Sequence, residues 1–201
     1  MGYSTDFNGS FRLNRPATNQ EKEYFNRFGD TRRMKRDVAK LMELYHGEHG
    51  NPFINVEGHP EYAYGNEGEY FANDDEVSGQ TRDKSIIDYN VPPGQISYNG
   101  MDTFDKVWRD NAKRVSDGVC QPGLWCQWRL NDDGIDLEWD GSEKFYNYVE
   151  WLKYLINHFF SEWGILLNGE VEWEGEDSLD LGKIIVADNK VTVKIGRITY
   201  E

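Results

Sequence analysis

Two short stretches in the second half of the chain alternate between apolar and polar residues. They cover 124–130 and 135–139, and the polar segment 131–134, which ends in glycine, separates them. A period of two is typical of strands with one buried face, so the pattern predicts a β-hairpin. Trp125 lies on the polar face of the first strand. It is therefore either covered by another part of the chain or exposed, and an exposed tryptophan could stack on a sugar, a base or a partner's side chain.

A longer apolar pattern follows the hairpin. Between 145 and 163, large apolar residues recur at steps of three and four, which predicts one helix over 143–163 with an aromatic stripe. Ser142 is expected to cap the start of this helix and Gly164 to end it. The apolar faces of the two strands should then pack beneath the stripe, with their polar faces in water.

The first 45 residues carry the same two kinds of period. Apolar and β-branched residues recur at odd positions over 3–13, which predicts a strand, or a hairpin that turns at Asn8-Gly9. Thr18 and Glu21 have the spacing of a capping box, so a helix should begin there. A second helix is predicted over 38–45 by its apolar spacing.

The C-terminal part of the chain predicts further strands. Asn168-Gly169 is typical of a type I′ turn, here between strands at 165–167 and 170–174. Two more strands are expected at about 183–187 and 191–199.

The region from about 47 to 118 differs in composition from the rest of the chain. Glycine, proline, asparagine and acidic residues dominate, which predicts a long irregular insertion with one helix at 102–116 and short strands near 69–71 and 85–89. Without the insertion, the element order is β-α-β-β-α-β followed by further strands. This order predicts a single α+β domain over 1–201. Its mostly antiparallel sheet would be ferredoxin-like, with extra C-terminal strands, and covered on one face by two main helices.

The charge balance restricts the partners of the protein. With 36 acidic and 22 basic residues, the net charge is −14, which argues against general binding to nucleic-acid phosphates or anionic membranes. It favours a basic partner, a bound cation, or no role beyond solubility. No apolar run resembles a signal peptide or a membrane span, so we expect a cytoplasmic protein in which Cys120 and Cys126 are thiols.

The acidic residues of the predicted strands are the main candidates for a site. Alternate residues of a strand are about 7 Å apart on one face, so each row forms a stripe of negative potential. Both stripes are open to three interpretations: a solvated face, a protein-binding surface that in the extreme mimics nucleic-acid phosphates, or a divalent-metal site. We expect the two rows to be separated, or flanked by lysine and arginine from the last strands. The rows are Asp136, Glu138 and Asp140, and Glu170, Glu172 and Glu174.

Two other charged patterns carry less information. The dense basic run Arg32–Arg36 is interpreted as a solvated helix end, or as a segment that pairs with the protein's own acidic face. His46, His49 and His59 lie close in sequence, but no cysteine is near and the spacing fits no helical zinc motif. The sequence therefore predicts neither a metal site nor a cofactor.

Four longer segments are PGLWCQW at 122–128, EWDGSEKFY at 138–146, YVEWLKYLI at 148–156 and LNGEVEWEGED at 167–177. These segments resemble a family of small proteins found in tailed bacteriophages and in some bacteria. The resemblance covers both ends and part of the middle of the chain, and this sequence departs from the family by extra residues around 95–120. It implies a phage accessory protein acting in a bacterial cytoplasm, and it implies no catalytic or binding residue.

These observations favour a soluble, non-enzymatic accessory protein. It would bind a macromolecular partner, such as a basic host protein, through a surface formed by Trp125 and the two acidic rows. One alternative is a carboxylate-dependent divalent-metal enzyme acting on nucleotides or nucleic acid. Another is a small-ligand module that uses Trp125.

Overall fold

The protein is α+β, with a mostly antiparallel six-stranded sheet. A computed structural model describes residues 2–48, 50–54, 57–73 and 80–197. The strands are β1 (Thr5–Leu13), β2 (Lys35–Arg36), β3 (Ile86–Asp88), β4 (Trp128–Leu130), β5 (Asp136–Trp139), β6 (Leu167–Gly175), β7 (Leu181–Ala187) and β8 (Lys190–Ile195). The α-helices are α1 (Asn19–Asp30), α2 (Val38–Tyr45), α3 (Phe104–Ser116) and α4 (Tyr148–Leu155), with 3₁₀ turns at Pro60–Tyr64 and Asn66–Gly68.

The chain divides into two compact units. The first joins Met1–Phe25 to Gln127–Glu201, and the second is Asn26–Cys126. The predicted insertion at 47–118 lies inside the second unit, which also includes the segments on either side of it. The assignment of the chain to a single domain stays a prediction.

The large sheet belongs to the first unit. Its strand order is β4-β5-β1-β6-β7-β8, and every neighbouring pair is antiparallel. A separate two-stranded sheet pairs β2 with β3 in the second unit. The antiparallel α+β architecture expected from the sequence is confirmed. Of the two short strands expected in the insertion, the one near 85–89 is present as β3, whereas 69–71 forms a turn. The final residues of the strand predicted at 191–199 lie outside the described residues.

Trp128 lies at the centre of the first unit's core. Its ring contacts Phe11 and Phe145 edge-on, with both centroid distances at 5.5 Å, and its indole N–H donates to the Tyr148 carbonyl at 2.9 Å. Leu137 on the neighbouring strand is also fully buried. The apolar faces of the hairpin therefore pack against the segment that carries the aromatic stripe, as predicted.

The helix over that stripe is shorter than predicted. It begins at Tyr148, after Asn147 in the left-handed conformation (φ 55°), and continues as a π-helical turn, Ile156–Phe160. Ser142 does not cap it, because the Ser142 N–H donates to the Asp140 carboxylate at 2.8 Å within a preceding turn. The predicted start at 143 is therefore wrong, while Gly164, with φ 66°, follows the last turn as expected.

The two Asn-Gly pairs considered as hairpin turns, at 8–9 and 168–169, lie inside strands and not in turns. β1 and β6 pair along their whole length, so the predicted turn at Asn168-Gly169 and the possible turn at Asn8-Gly9 are wrong. Gly9 has φ 111° and Gly169 has φ 142°. A Cβ atom on Gly9 would lie 2.4 Å from the Glu170 carbonyl oxygen, and one on Gly169 would lie 2.6 Å from that of Ser10. Glycine is needed here for close backbone approach between two long strands.

The capping box at the start of α1 is confirmed. The Thr18 N–H donates to Glu21 Oε2 at 2.7 Å, and the Glu21 N–H donates to Thr18 Oγ1 at 3.1 Å. The Arg15 guanidinium also forms two hydrogen bonds with the Glu21 carboxylate, at 2.7 and 2.8 Å, in a bidentate ion pair. These hydrogen bonds from Arg15 outweigh the effect of burial and lower the pKa of Glu21 below its usual value.

Replacing Glu21 with Gln is expected to lower the free energy of unfolding at neutral pH by about 1 to 2 kcal/mol, because the amide loses the charged contact with Arg15. The depressed pKa makes this contribution fully present above the pKa of an unfolded glutamate, about 4.3, and lost as the pH falls through the folded value. Urea unfolding at pH 7 and pH 3 measures it. If the free energies of unfolding of wild type and variant differed by the same amount at both pH values, the prediction would be contradicted. Glu162→Gln, at an exposed carboxylate, is the control.

The basic run after α1 is buried, which corrects the expectation of a solvated helix end. Arg33 and Arg36 are each 1% exposed. The Arg33 guanidinium lies 3.9 Å from the centre of the Phe28 ring, donates to Gln121 Oε1 at 2.9 Å and to the Glu69 carbonyl at 2.7 Å, and also donates to the Phe71 carbonyl. Arg33 thus connects four segments of the second unit.

The neighbouring cations are paired with carboxylates of the second unit. Lys35 Nζ lies 2.9 Å from Glu67, and Arg36 NH1 lies 2.7 Å from Asp83. Burial would raise the pKa of Asp83, but hydrogen bonds from Ser85 and Arg36 outweigh it and lower the pKa. The basic run is therefore a structural network, in which the charges of Lys35 and Arg36 are compensated by carboxylates from distant parts of the sequence.

Candidate functional site

The charged residues of the large sheet lie on the face opposite its core. Since β1, β6, β7 and β8 are in register, their outward side chains form rows across the sheet. Three consecutive rows run Asp6, Glu174, Leu181; then Asn8, Glu172, Lys183, Lys194; then Ser10, Glu170, Ile185, Thr192. The outer face thus presents carboxylates on β1 and β6, and aliphatic and basic residues on β7 and β8.

A depression of about 640 Å³ lies on this face, which we call the acidic groove. Its lining contains four carboxylates and two lysines. The residues that matter for its chemistry are Asp6, Glu170, Glu172, Glu174, Lys183 and Ile185. All three glutamates of the predicted row are exposed, so the groove is open to solvent.

Lys183 compensates two of the glutamates. Its Nζ lies 2.8 Å from Glu170 and 3.1 Å from Glu172. These hydrogen bonds raise the pKa of Lys183 above its usual value, so the lysine is charged at neutral pH. The expectation that lysine from the last strands flanks the second acidic row is confirmed.

The other end of the groove carries uncompensated negative charge. Asp6 and Glu174 are directly opposite each other on β1 and β6. Within the described ranges, no cation forms an ion pair with either carboxylate. Like charges in this position destabilise a sheet, so a cationic group bound here would relieve the repulsion.

The first acidic row is separated from the groove by β1. Asp136 pairs with Arg12 on β1 at 3.1 Å, and Glu138 is opposite Arg129. Asp140 follows β5 and accepts the N–H of Ser142. These three carboxylates therefore do not form a continuous acidic surface, because basic residues of adjacent strands interrupt it.

Trp125 does not belong to the groove. It precedes β4, lies in the second unit and is half-buried. The strand predicted at 124–130 contains only its last three residues, Trp128–Leu130. Residues 124–127 are therefore not part of a strand. The prediction that Trp125 lies on the outer face of the sheet treated their alternation as that of a strand.

Sequence reasoning missed one set of exposed aromatic residues in the second unit. The helix predicted at 102–116 is present as α3, but of its apolar residues only Val107 is buried. Phe104 is 67% exposed and Trp108, one turn later, is 62% exposed, with Met101 91% exposed before them. The spacing of these residues is the same as that of a core stripe, so the sequence carries no signal that separates the two cases.

Side chains that could ligate a metal ion do not cluster in the described part of the chain. Its residues contain no group of three or more histidine, cysteine or acidic side chains placed to hold a metal ion. His59 instead contacts Glu61 at 3.1 Å and stacks on Tyr62, while His49 lies outside the described residues. Cys120 and Cys126 are buried thiols, and burial raises the pKa of Cys120. None of the described helices has the length and apolar composition needed to span a bilayer.

Comparisons of this chain with models of protein families, with curated proteins and with solved structures found no match.

Proposed function

We propose that this protein is a non-enzymatic accessory protein that binds a basic segment of a protein partner in the acidic groove. The observation that carries the proposal is the excess of carboxylates in the groove, above all Asp6 and Glu174 at one end, which form no ion pair with any cation of the described residues. Complementary charge steers a partner to such a surface and rejects acidic competitors.

The lining of the groove suits lysine and arginine side chains. These side chains have long apolar stems and a charged end, so they bind best where aliphatic surface lies beside carboxylates. Ile185 is opposite Glu170, and Leu181 is opposite Glu174. A basic side chain can therefore place its stem on β7 and its charge on β6.

An oligolysine peptide tests the groove. We expect the peptide to bind the wild-type protein, and the triple variant Glu170→Gln, Glu172→Gln, Glu174→Gln to lose at least about tenfold in affinity, because the charge attraction is removed. Fluorescence anisotropy of a labelled peptide, at low and at physiological salt, measures the affinity.

A matched variant separates the groove from the overall charge. Asp132→Asn, Asp133→Asn and Glu162→Gln change the net charge by the same amount at exposed positions outside the groove. We expect this control to bind the peptide within about twofold of wild type. Equal losses in both triple variants would show that only net charge matters, and would refute the groove as the site.

The two alternatives from the sequence have less support. A carboxylate-dependent metal enzyme needs converging carboxylates, and in the described residues the two rows are held apart by β1. A small-ligand module based on Trp125 needs an exposed ring, and Trp125 is half-buried.

We also propose that the first unit is ferredoxin-like and that the protein is of phage origin. The neighbour order β6-β1-β5-β4 supports the first proposal, since it is the order of a β-α-β-β-α-β sheet, extended here by β7 and β8. The second has only the quoted sequence motifs as support, and with it the bacterial cytoplasm as the site of action.

A further inference from the structure

The last strand forms one edge of the large sheet. Among the described residues β8 pairs with β7 alone, and the two-residue turn Asp188-Asn189 joins the two strands. Both turn residues have positive φ, 48° and 65°, the geometry of a type I′ hairpin closed by a hydrogen-bonded pair. That pair is Ala187 and Lys190. Lys190, Thr192 and Lys194 therefore direct their backbone groups toward β7.

The alternate residues of β8 direct their backbone groups to the open side of the sheet. These are Val191, Val193 and Ile195, and no other segment in the described ranges forms a hydrogen bond with them. Val193 is 40% exposed and Ile195 is 70% exposed. The edge thus offers a row of unpaired donors and acceptors together with apolar side chains, the combination used by proteins that bind an added strand.

The charge of this edge is opposite to that of the protein. Lys190, Lys194 and Arg197 are the charged residues between Asn189 and Arg197, within a chain of net charge −14. Lys190 and Lys194 alternate with the apolar residues, so they project from the opposite face of the strand.

We propose that β8 binds an extended, acidic segment of a protein partner by strand addition. Its backbone would pair with Val191, Val193 and Ile195, its carboxylates would face Lys190 and Lys194, and its apolar side chains would cover Val193 and Ile195. The lysines select the partner, because an added strand with lysines opposite them is repelled. For the same reason a second copy of β8, with the same two lysines, is a poorer occupant than an acidic strand.

A short peptide in which glutamate alternates with valine is the probe. We expect it to bind the wild-type protein at least about tenfold more tightly than two control peptides, one with lysine in place of glutamate and one with N-methylated backbone. The N-methylated peptide keeps the side chains and loses the hydrogen bonds. If the N-methylated peptide bound the wild-type protein as tightly as the unmodified peptide, strand addition would be refuted. This test needs no protein variant.

A substitution at the edge provides the second test. In Val193→Pro the lost N–H points away from β7, so the β7 pairing is kept, whereas Val193→Thr preserves the strand and its edge. We expect the proline variant to lose about tenfold or more in affinity for the glutamate–valine peptide, and the threonine variant to bind normally. Equal affinity of the proline variant and wild type would overturn the proposal.

Two further measurements separate this edge from the acidic groove and from self-association. Oligolysine binding should be the same in Val193→Pro as in wild type, so the groove and the edge fail independently. Sedimentation should show no dimer that depends on Val193. A wild-type dimer lost in Val193→Pro, together with no peptide binding, would identify a second copy as the occupant and refute the acidic partner.

Discussion

Replacing Trp128 with alanine should lower the free energy of unfolding by about 3 to 5 kcal/mol, because the surrounding core cannot close the resulting cavity. The indole is 1% exposed and lies against Phe11 and Phe145, whose own positions are fixed by β1 and by the segment before α4. The substitution also removes the donor to the Tyr148 carbonyl. Urea unfolding followed by far-ultraviolet circular dichroism measures the change.

The same substitution at an exposed tryptophan is the control. Trp108 on α3 is 62% exposed, so Trp108→Ala should change stability by no more than about 0.5 kcal/mol. Similar losses for both variants would mean that Trp128 is not a core residue, and would contradict the packing of the hairpin beneath the aromatic stripe.

Replacing Arg33 with methionine should destabilise the second unit by about 3 kcal/mol or more, since a buried hydrogen-bonded charge is lost while its partners stay buried. Methionine keeps an apolar chain, but it removes the guanidinium that lies over Phe28 and supplies no donor to Gln121 Oε1 or to the carbonyls of Glu69 and Phe71. In the variant, amide hydrogen exchange in the peptides that cover 64–73 should be faster than in wild type. This result would assign the loss of stability to the hydrogen bonds of Arg33.

An exposed arginine of the same unit provides the comparison. In the described part of the chain, the Arg109 side chain on α3 donates to the Asp105 carbonyl of its own helix, at 3.1 Å, and to no other group. Arg109→Met should leave the free energy of unfolding within about 0.5 kcal/mol of wild type. The rate of hydrogen exchange over 64–73 should be unchanged. Normal exchange in Arg33→Met would show that the basic run is as dispensable as a solvated helix end.

The acidic groove and the β8 edge share the strands that carry them but not their chemistry. The groove offers carboxylates to a basic partner, whereas the edge offers backbone groups and lysines to an acidic one. Because β8 also forms one wall of the groove through Lys194, a strand added to β8 would extend that wall. A partner segment with both charges could therefore use the two sites together.

Features that depend on a few neighbouring residues could be predicted from the sequence. The hairpin of β4 and β5, the capping box of α1, α2, α3 and the exposure of the three groove glutamates all follow from local periods and spacings. The side chain of a capping residue reaches only three residues along the chain, and strand alternation repeats every two residues. These local patterns therefore predict the same element wherever that element lies in the fold.

The burial of charged and polar residues and the order of the strands depend on contacts between distant parts of the chain, so they could not be predicted from local patterns. Arg33 reaches Gln121 across 88 residues, and β1 pairs with β6 although most of the chain separates them. The same separation explains Gly9 and Gly169, whose turn-like sequence in fact allows two distant backbones to meet. The groove and the open edge follow from the strand order for the same reason. Long-range contacts set the free energy of burial, and no local period contains that information.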